Sequence, residues 1–413
     1  MTSTQKSFFA PISLLFTTIF AVAGPFVMFY PVFLQGRGLD SEEVGYAMSA
    51  MALGKLASVV VMAFIIDKSL KPHRYLVGAA LIASMMMLVN GISDVGVWFL
   101  ILMTFMFSAF WSMTVPLAEG FSLRACRLQE NLNYGRMRLF GSASFFLGGM
   151  VVGEMMGWFD SWGYSSIHAF VIAIIVGAAL VALVASTLPN FYKLEQRAGI
   201  ITDEAVDAQN LVKMVKTNIA LMIIIAGASI MHAGHAAFFQ YAASDWLNNK
   251  GYSSTMVSLF FGVGIIAEVI LFWYAAVLKR NLRTIHFFLI AGFASMIRWA
   301  GMALDPSFEV IMLLQTLHAF TFGALHLGVI RYIRKNLQGH YHGAAQLIYG
   351  GAMWGLAMIP ASTITGHLYA IYGVHTYYFM SLFAFIGTAI TMIPLFPREK
   401  WFRRIFMNKE QLT

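Results

Sequence analysis

The sequence predicts an all-α integral membrane protein with twelve transmembrane helices in two pseudo-symmetric six-helix halves. Three observations carry that expectation. Of the 413 residues, 59% are hydrophobic and only 11% are charged, with a mean hydropathy of +0.72. Such a chain would aggregate as a soluble domain and suits lipid. Apolar runs long enough to cross a bilayer, which takes roughly 20 residues, recur along the whole chain. The basic residues behind the formal charge of +8 sit in short clusters between those runs, as topology signals do. That distribution argues against a nucleic-acid face, and no loop pairs a nucleophile with a base or spaces metal ligands as an enzyme would.

The runs are 9–34, 44–66, 74–93, 97–118, 138–158, 166–187, 217–245, 255–277, 284–304, 308–333, 344–371 and 376–396, each expected to be one helix. The first is too long for the apolar core of a signal peptide and lacks a small-residue cleavage site, so it is expected to be retained. One set of loops carries Lys68, Lys71, Arg74, Arg124, Arg127, Arg136, Lys193, Arg197, Lys213, Lys216, Lys279, Arg280, Arg283, Arg331, Arg334 and Lys335. The other carries only Arg37 and Lys250. The positive-inside rule places the first set, with both termini, in the cytoplasm. The longest polar stretch, Pro189 to Lys216, reads as a cytoplasmic linker with a surface helix. Residues 1–188 then form the first half, 189–216 the linker, and 217–413 the second half with a cytoplasmic tail. Cys126 is the single cysteine, so no intrachain disulfide can form.

The halves echo each other. Gly38, Ser41 and Val44 before helix two recur as Gly251, Ser254 and Val257 before helix eight, with helix N-cap chemistry in both. The same offset sets Lys55 opposite Glu268. Gly148, Gly149 and Gly153 in helix five return as Gly350, Gly351 and Gly355 in helix eleven, and small residues at such spacing are expected to let helices approach closely.

Chemistry is sought among the charges inside the spans, which are costly there unless they serve a pathway. Lys55 lies about eleven residues into helix two, ~16 Å along it and too deep to snorkel easily. Glu119, Arg138, Glu154, Glu268 and Arg298 complete three cations and three carboxylates, which could instead be structural ion pairs. In helix ten, Gln315, His318 and His326 fall within about a quarter of the circumference. Each histidine could also serve only to bond a neighbouring helix. His232 and His235 share a face of helix seven, with Phe239 one turn later.

These residues carry a resemblance that covers nearly the whole chain. Phe29 to Leu34, Gly135 to Gly141 and Leu317 to Phe320 resemble segments of the lactose permease type of proton symporter. The likeness to bacterial phenylpropionate permeases is closer, through Tyr134 to Ser142, Ala267 to Ile270, Ile297 to Trp299 and Leu317 to Ile333. The resemblance implies the major facilitator fold. It puts Glu119 and Arg138 at the sugar-binding acid and arginine positions of lactose permease, and Glu268, Arg298 and His318 in its binding and proton-coupling network. His235 falls where that carrier has an aspartate, and Gln315 where it has the partner lysine. Thr321 replaces its proton-releasing glutamate, and Thr321, His326 and a cation at Lys55 fit the phenylpropionate permease pattern. The facilitator loop signature after helix two survives only as Asp67, Lys68 and Lys71, with Ala63 in place of a glycine.

The leading expectation is a secondary transporter that imports a small organic anion, such as an aromatic carboxylate, together with protons. Lys55 and Arg138 are expected to hold the carboxylate, with Glu119, His235 and Phe239 also in the substrate site. Glu268, Arg298, His318 and His326 are expected to carry and couple the proton. Uptake of a neutral sugar or nucleoside, and export of a small molecule or siderophore, are the alternatives. A membrane receptor or scaffold with a decayed site is the reading from another class. No cofactor or metal is implied, the proton gradient being the energy source. The partners are a small-molecule substrate, protons and the bilayer, with no nucleic acid. The resemblance implies a monomer in the bacterial inner membrane.

Overall fold

The computed structural model describes residues 8–65, 72–92, 96–200 and 214–395. Every predicted run forms a helix. They are α1 (Phe9–Gly36), α2 (Ser41–Ile65), α3 (Pro72–Ile92), α4 (Val97–Leu128), α5 (Tyr134–Ser161), α6 (Ser166–Ser186), α7 (Ile219–Asn249), α8 (Ser254–Trp273), α9 (Thr284–Ala303), α10 (Phe308–Asn336), α11 (residues 342–372) and α12 (Thr376–Met392). Asp67, Lys68, Lys71, Lys213 and the tail after residue 395 lie outside the described residues.

Local sequence sets the helix starts. Asp40 and Glu43 form a reciprocal capping box at the head of α2, where Asp40 Oδ1 accepts from the Glu43 amide at 2.9 Å and Glu43 Oε2 from the Asp40 amide at 3.0 Å. Ser253 caps α8 one way only, its Oγ accepting from the Met256 amide at 3.2 Å. Gly38 (φ +89) and Gly251 (φ +67) precede those caps in left-handed conformations that a side chain would strain. The echo seen in the sequence is therefore one turn-and-cap built twice.

Contacts divide the chain into two compact units. Unit 1 takes the described residues up to 200 together with Phe238–Gly262 and Ser362–Ile371. Unit 2 takes residues 214–237, Val263–Ala361 and residues 372–395.

In unit 1, glycines let α1 and α5 touch backbone to backbone. A methyl on Gly24 would meet the carbonyl of Phe145, and one on Gly148 the carbonyl of Ala21. Gly153 also lies close to the backbone of Ser254, where an added methyl would be 2.8 Å from its carbonyl oxygen. Helix eleven departs from the expectation: Gly350 and Gly351 face open space, so their spacing echoes helix five without its packing. Polar bonds tie the outlying segments into unit 1. Tyr241 donates to the Ser41 carbonyl at 2.7 Å and stacks on Tyr369, while Ser49 and Thr363 hydroxyls meet at 2.7 Å. The expected linker helix is present at Phe191–Arg197 and is anchored. Phe191 is buried against Phe8 and Phe121, and the buried Glu195 accepts from Arg124 and Arg127.

In unit 2, Gly227 and Gly387 bring α7 and α12 together, each facing the other's carbonyl. Here α10 and α11 are not uniform helices. Each contains a π-turn, Ala319–Ala324 and Ala352–Leu356, and a third such turn, Asp245–Asn249, ends α7 in unit 1. Turns of this kind are rare and concentrate at functional positions.

Candidate functional site

Unit 2 brings four of the predicted residues, His235, Glu268, Arg298 and His318, into one network. Arg298 is buried in the middle of α9, and a buried guanidinium is stable only if its donors are met. Helix α10 supplies acceptors for the two terminal nitrogens. Nη2 donates to Gln315 Oε1 at 2.6 Å, and Nη1 donates to Thr321 Oγ1 at 3.1 Å and to His318 Nδ1 at 3.2 Å. Arginine has no acceptor, so Nδ1 of His318 must be unprotonated and the ring's proton must sit on Nε2. That nitrogen lies 3.3 Å from Glu268 Oε2 on α8. His318 is thus a neutral imidazole with a cation on one nitrogen and a carboxylate on the other.

The network continues through Thr321. His235 has Nδ1 3.0 Å from the His232 carbonyl, which can only accept, so its proton is on Nδ1. Its Nε2, 3.3 Å from Thr321 Oγ1, can then accept the threonine hydroxyl. Thr321 takes an N–H from Arg298, and its single O–H has two acceptors in reach, His235 Nε2 at 3.3 Å and the His318 carbonyl at 3.4 Å, which makes it a connector in place of a charge. Trp299 closes one side, edge-on to His235 at 4.9 Å and stacked on Tyr377. The line Glu268, His318, Arg298, Thr321, His235 carries one cation and one carboxylate. A proton added to the carboxylate leaves it with net positive charge.

His326 is placed differently from His318. Its ring stacks on Phe322 and meets Phe272 and Tyr349, two turns further along α10. A π-turn intervenes, yet the rings of His318, Phe322 and His326 stack in sequence, 5.7 and 6.2 Å apart, so both histidines stay on one face of α10 while only His318 bonds Arg298 and Glu268.

Unit 1 assembles a second, smaller cluster. Tyr134 donates to Glu119 Oε1 at 3.3 Å, and the Arg138 guanidinium lies 3.9 Å from the ring centre of Phe20 and 5.7 Å from that of Phe16. All of Glu119, Tyr134 and Arg138 are half-buried. Tyr134 opens the stretch Tyr134 to Ser142, and its bond to Glu119 has no signal in the sequence. Phe16 and Phe20, one turn apart on α1, left no signal beyond the cation they cover. Lys55 is half-buried midway along α2, and Phe239 is half-buried beside Phe238 in the unit 1 portion of α7. Glu154 requires a correction. It was expected among the buried charges, but it is exposed and accepts from Thr255 at 2.8 Å. Among the described residues no group of histidine, cysteine and carboxylate side chains could hold a metal ion.

The family model described as MFS_1 like family matches residues 10–380 of this chain. The chain belongs to the MFS_1-like family. As a member of that family it is a multi-pass membrane transporter of a small molecule and not an enzyme. Over 371 residues it is 26% identical to the Escherichia coli (strain K12) protein named "Probable 3-phenylpropionic acid transporter", covering 89% of this chain and 93% of that one. It is 22% identical to the maltose permease of Geobacillus stearothermophilus, covering 94% of both. Among solved structures, the nucleoside transporter NupG superposes with a TM-score of 0.74 at 14% identity over 94% of this chain and 98% of that one. A D-xylose-proton symporter gives 0.63, also at 14%, over 94% and 95%. These structural likenesses establish the major facilitator fold of this MFS_1-like protein.

Proposed function

We propose that the protein is a proton-coupled symporter of the bacterial inner membrane that imports a small organic anion, an aromatic carboxylate of the 3-phenylpropionate kind. The Glu268–His318–Arg298 arrangement is the observation that carries this reading. Glu268 in its charged form balances Arg298 through a neutral imidazole. A proton on Glu268 cancels the carboxylate and leaves the arginine's charge uncompensated, which favours an incoming anion by simple attraction. Proton and substrate anion together carry no net charge, so each lowers the cost of the other in a medium hostile to ions. His318, whose Nε2–H already points at the carboxylate, orients that group and offers its proton path. Lys55 and Arg138 are the proposed anchors for the substrate carboxylate, with Glu119, His235 and Phe239 as further contacts and His326 as an auxiliary proton group. The protein would work as a monomer, with residues 1–188 and 217–413 as two halves and both termini in the cytoplasm. The name of the Escherichia coli relative supports the substrate class.

The test is transport by purified protein in proteoliposomes. An inside-alkaline pH gradient should drive accumulation of 3-phenylpropionate, and adding the acid without a gradient should carry protons inward. Substrate entry without proton movement would remove the coupling.

A second reading, uptake of a neutral sugar or nucleoside, draws on the Glu119, Tyr134 and Arg138 cluster, whose donors and acceptors suit hydroxyl groups. The relatives named for maltose and nucleosides support it. Uptake of either compound in the same vesicles, with none of the aromatic acid, would favour it.

A further inference from the structure

The first turns of α2 and the last third of α11 meet within unit 1, and they cross at two glycines. A methyl on Gly45 would lie 2.8 Å from the Ser362 carbonyl oxygen, and one on Gly366 would lie 3.0 Å from the Cα of Gly45. Glycines bring no side chain to the crossing, so polar pairs around it tie the two helices. The hydroxyls of Ser49 and Thr363 form one tie at 2.7 Å. His367 forms another: its Nδ1 lies 3.2 Å from Glu42 Oε1, and its Nε2 lies 3.2 Å from the hydroxyl of Tyr46, whose ring stacks on Trp98 of α4.

Both protonation states of His367 fit this geometry. A carboxylate only accepts, so Nδ1 keeps a proton in either state. In the neutral ring Nε2 accepts the Tyr46 O–H, and in the charged ring Nε2–H donates to the Tyr46 oxygen. A proton gained there requires no movement of the ring and turns the bond to Glu42 into an ion pair. His318 differs, since Arg298 donates to one of its nitrogens and shuts out a second proton. The side chains of His367 and Glu42 are 45% and 42% exposed, and Glu42 stands in the first turn of its helix, where a carboxylate reaches the water boundary. The surrounding titratable groups are bonded elsewhere. Asp40 and Glu43 accept from each other's amides, Tyr241 of α7 donates to the Ser41 carbonyl, and Tyr369 of α11 donates to Asp245.

Helix α2 belongs to residues 1–188 and α11 to residues 217–413, yet Ser362–Ile371 packs as part of unit 1. In a transporter whose halves rock, this contact must part for the outer face to open. We infer that Glu42 and His367 form a pH-sensitive latch, in which a proton on His367 holds the outer ends of α2 and α11 together and its loss at higher pH lets them separate. The inference rests on the two-half symporter reading above and adds control by external pH at a point apart from the transported proton. The pair is half exposed and screened by water, so its pull is modest and shifts the ratio of parted to joined forms by roughly two- to fivefold.

Spin labels test this on the purified full-length protein. Tyr164→Cys after α5 and Leu304→Cys after α9 place labels on exposed outer turns of the two halves, in a Cys126→Ser background. Glu268→Gln in every form keeps the proton of the transport network out of the reading. Pulsed dipolar spectra should show a wide-to-narrow ratio that rises roughly two- to fivefold from about pH 5 to about pH 8, the range over which histidines change charge. His367→Gln and Glu42→Gln should each flatten that rise, while Ser49→Ala should enlarge the wide population equally at every pH. The two glutamine variants act on opposite partners, so either decides if the other fails to fold. A rise that persists in a glutamine variant, a ratio that falls as pH rises, or two populations in a ratio constant across the range would overturn the latch alone. One distance at every pH, with and without 3-phenylpropionate, would bring down the two-half reading along with it.

Discussion

Arg298 donates to Nδ1 of His318 across 3.2 Å, and that bond decides which nitrogen of the histidine keeps a proton. A doubly protonated His318 would set two donors against each other, so under the proposed coupling the transported proton is expected to reside on Glu268.

The arginine should be irreplaceable by lysine. Its fork meets Gln315, Thr321 and His318 at once, and a single ammonium cannot span that geometry. Arg298→Lys is expected to lower initial uptake at least about tenfold and to destabilise the protein by about 3 kcal/mol, as buried ionic networks do when their geometry is broken. Uptake assays with a thermal unfolding series check both; near-wild-type transport in Arg298→Lys would count against the network.

Glu268→Gln should separate coupling from movement. Exchange of internal for external substrate needs no net proton transfer and should continue, while accumulation against a gradient should stop. His318→Gln should give a milder loss, because an amide can accept from Arg298 and donate to Glu268. Vesicles loaded with substrate and assayed in both modes distinguish the outcomes, and accumulation persisting in Glu268→Gln would move the proton to another group.

Lys55→Ala should abolish binding of the acid while leaving folded protein in the membrane. The neutral amide of the same compound should bind neither form well. Equal binding of acid and amide by the native protein would take Lys55 out of the substrate site.

Glu195→Ala tests the anchored linker helix. Glu195 is 3% exposed and holds Arg124 and Arg127, whose side chains are 30% and 38% exposed, so the pairs are partly screened. The expected cost is about 1–2 kcal/mol, read as a melting midpoint lower by about 2–4 °C, with Glu195→Gln in between. No shift in either variant would mean the helix is not held by these bonds.

Topology is checked with single cysteines in a Cys126→Ser background. Arg37→Cys and Lys250→Cys should react with an impermeant reagent added to right-side-out vesicles, and Arg197→Cys should react only after permeabilisation. The reverse pattern would invert the orientation.

The helices were readable because lipid imposes one rule everywhere: a span must be apolar and about 20 residues long. Arg298, His318 and Glu268 were readable for the complementary reason, since ionisable groups in such a setting are few. Thr321 was noticed only as the residue that stands where a carboxylate was expected. Its connecting role depends on a hydroxyl that gives and takes at once, which spacing does not reveal. The π-turn at Ala319–Ala324 was hidden because such a turn has no strong sequence signature, although His318 and His326 still flank Phe322 on one face of the helix. Glu154 misled in the opposite way: it lies inside an apolar run, yet it points outward where Thr255 can reach it.

The glycine seams, Gly24 and Gly148 in one unit and Gly227 and Gly387 in the other, bring helix backbone against helix backbone. Side-chain contacts can be loosened by a change of rotamer, but a seam made of carbonyls and Cα atoms has no such freedom. Each pair of helices is therefore a stiff beam, and deformation during a transport cycle must be taken up elsewhere in the chain. The π-turns at Asp245–Asn249, Ala319–Ala324 and Ala352–Leu356, where the hydrogen-bond ladder is already irregular, lie outside both seams.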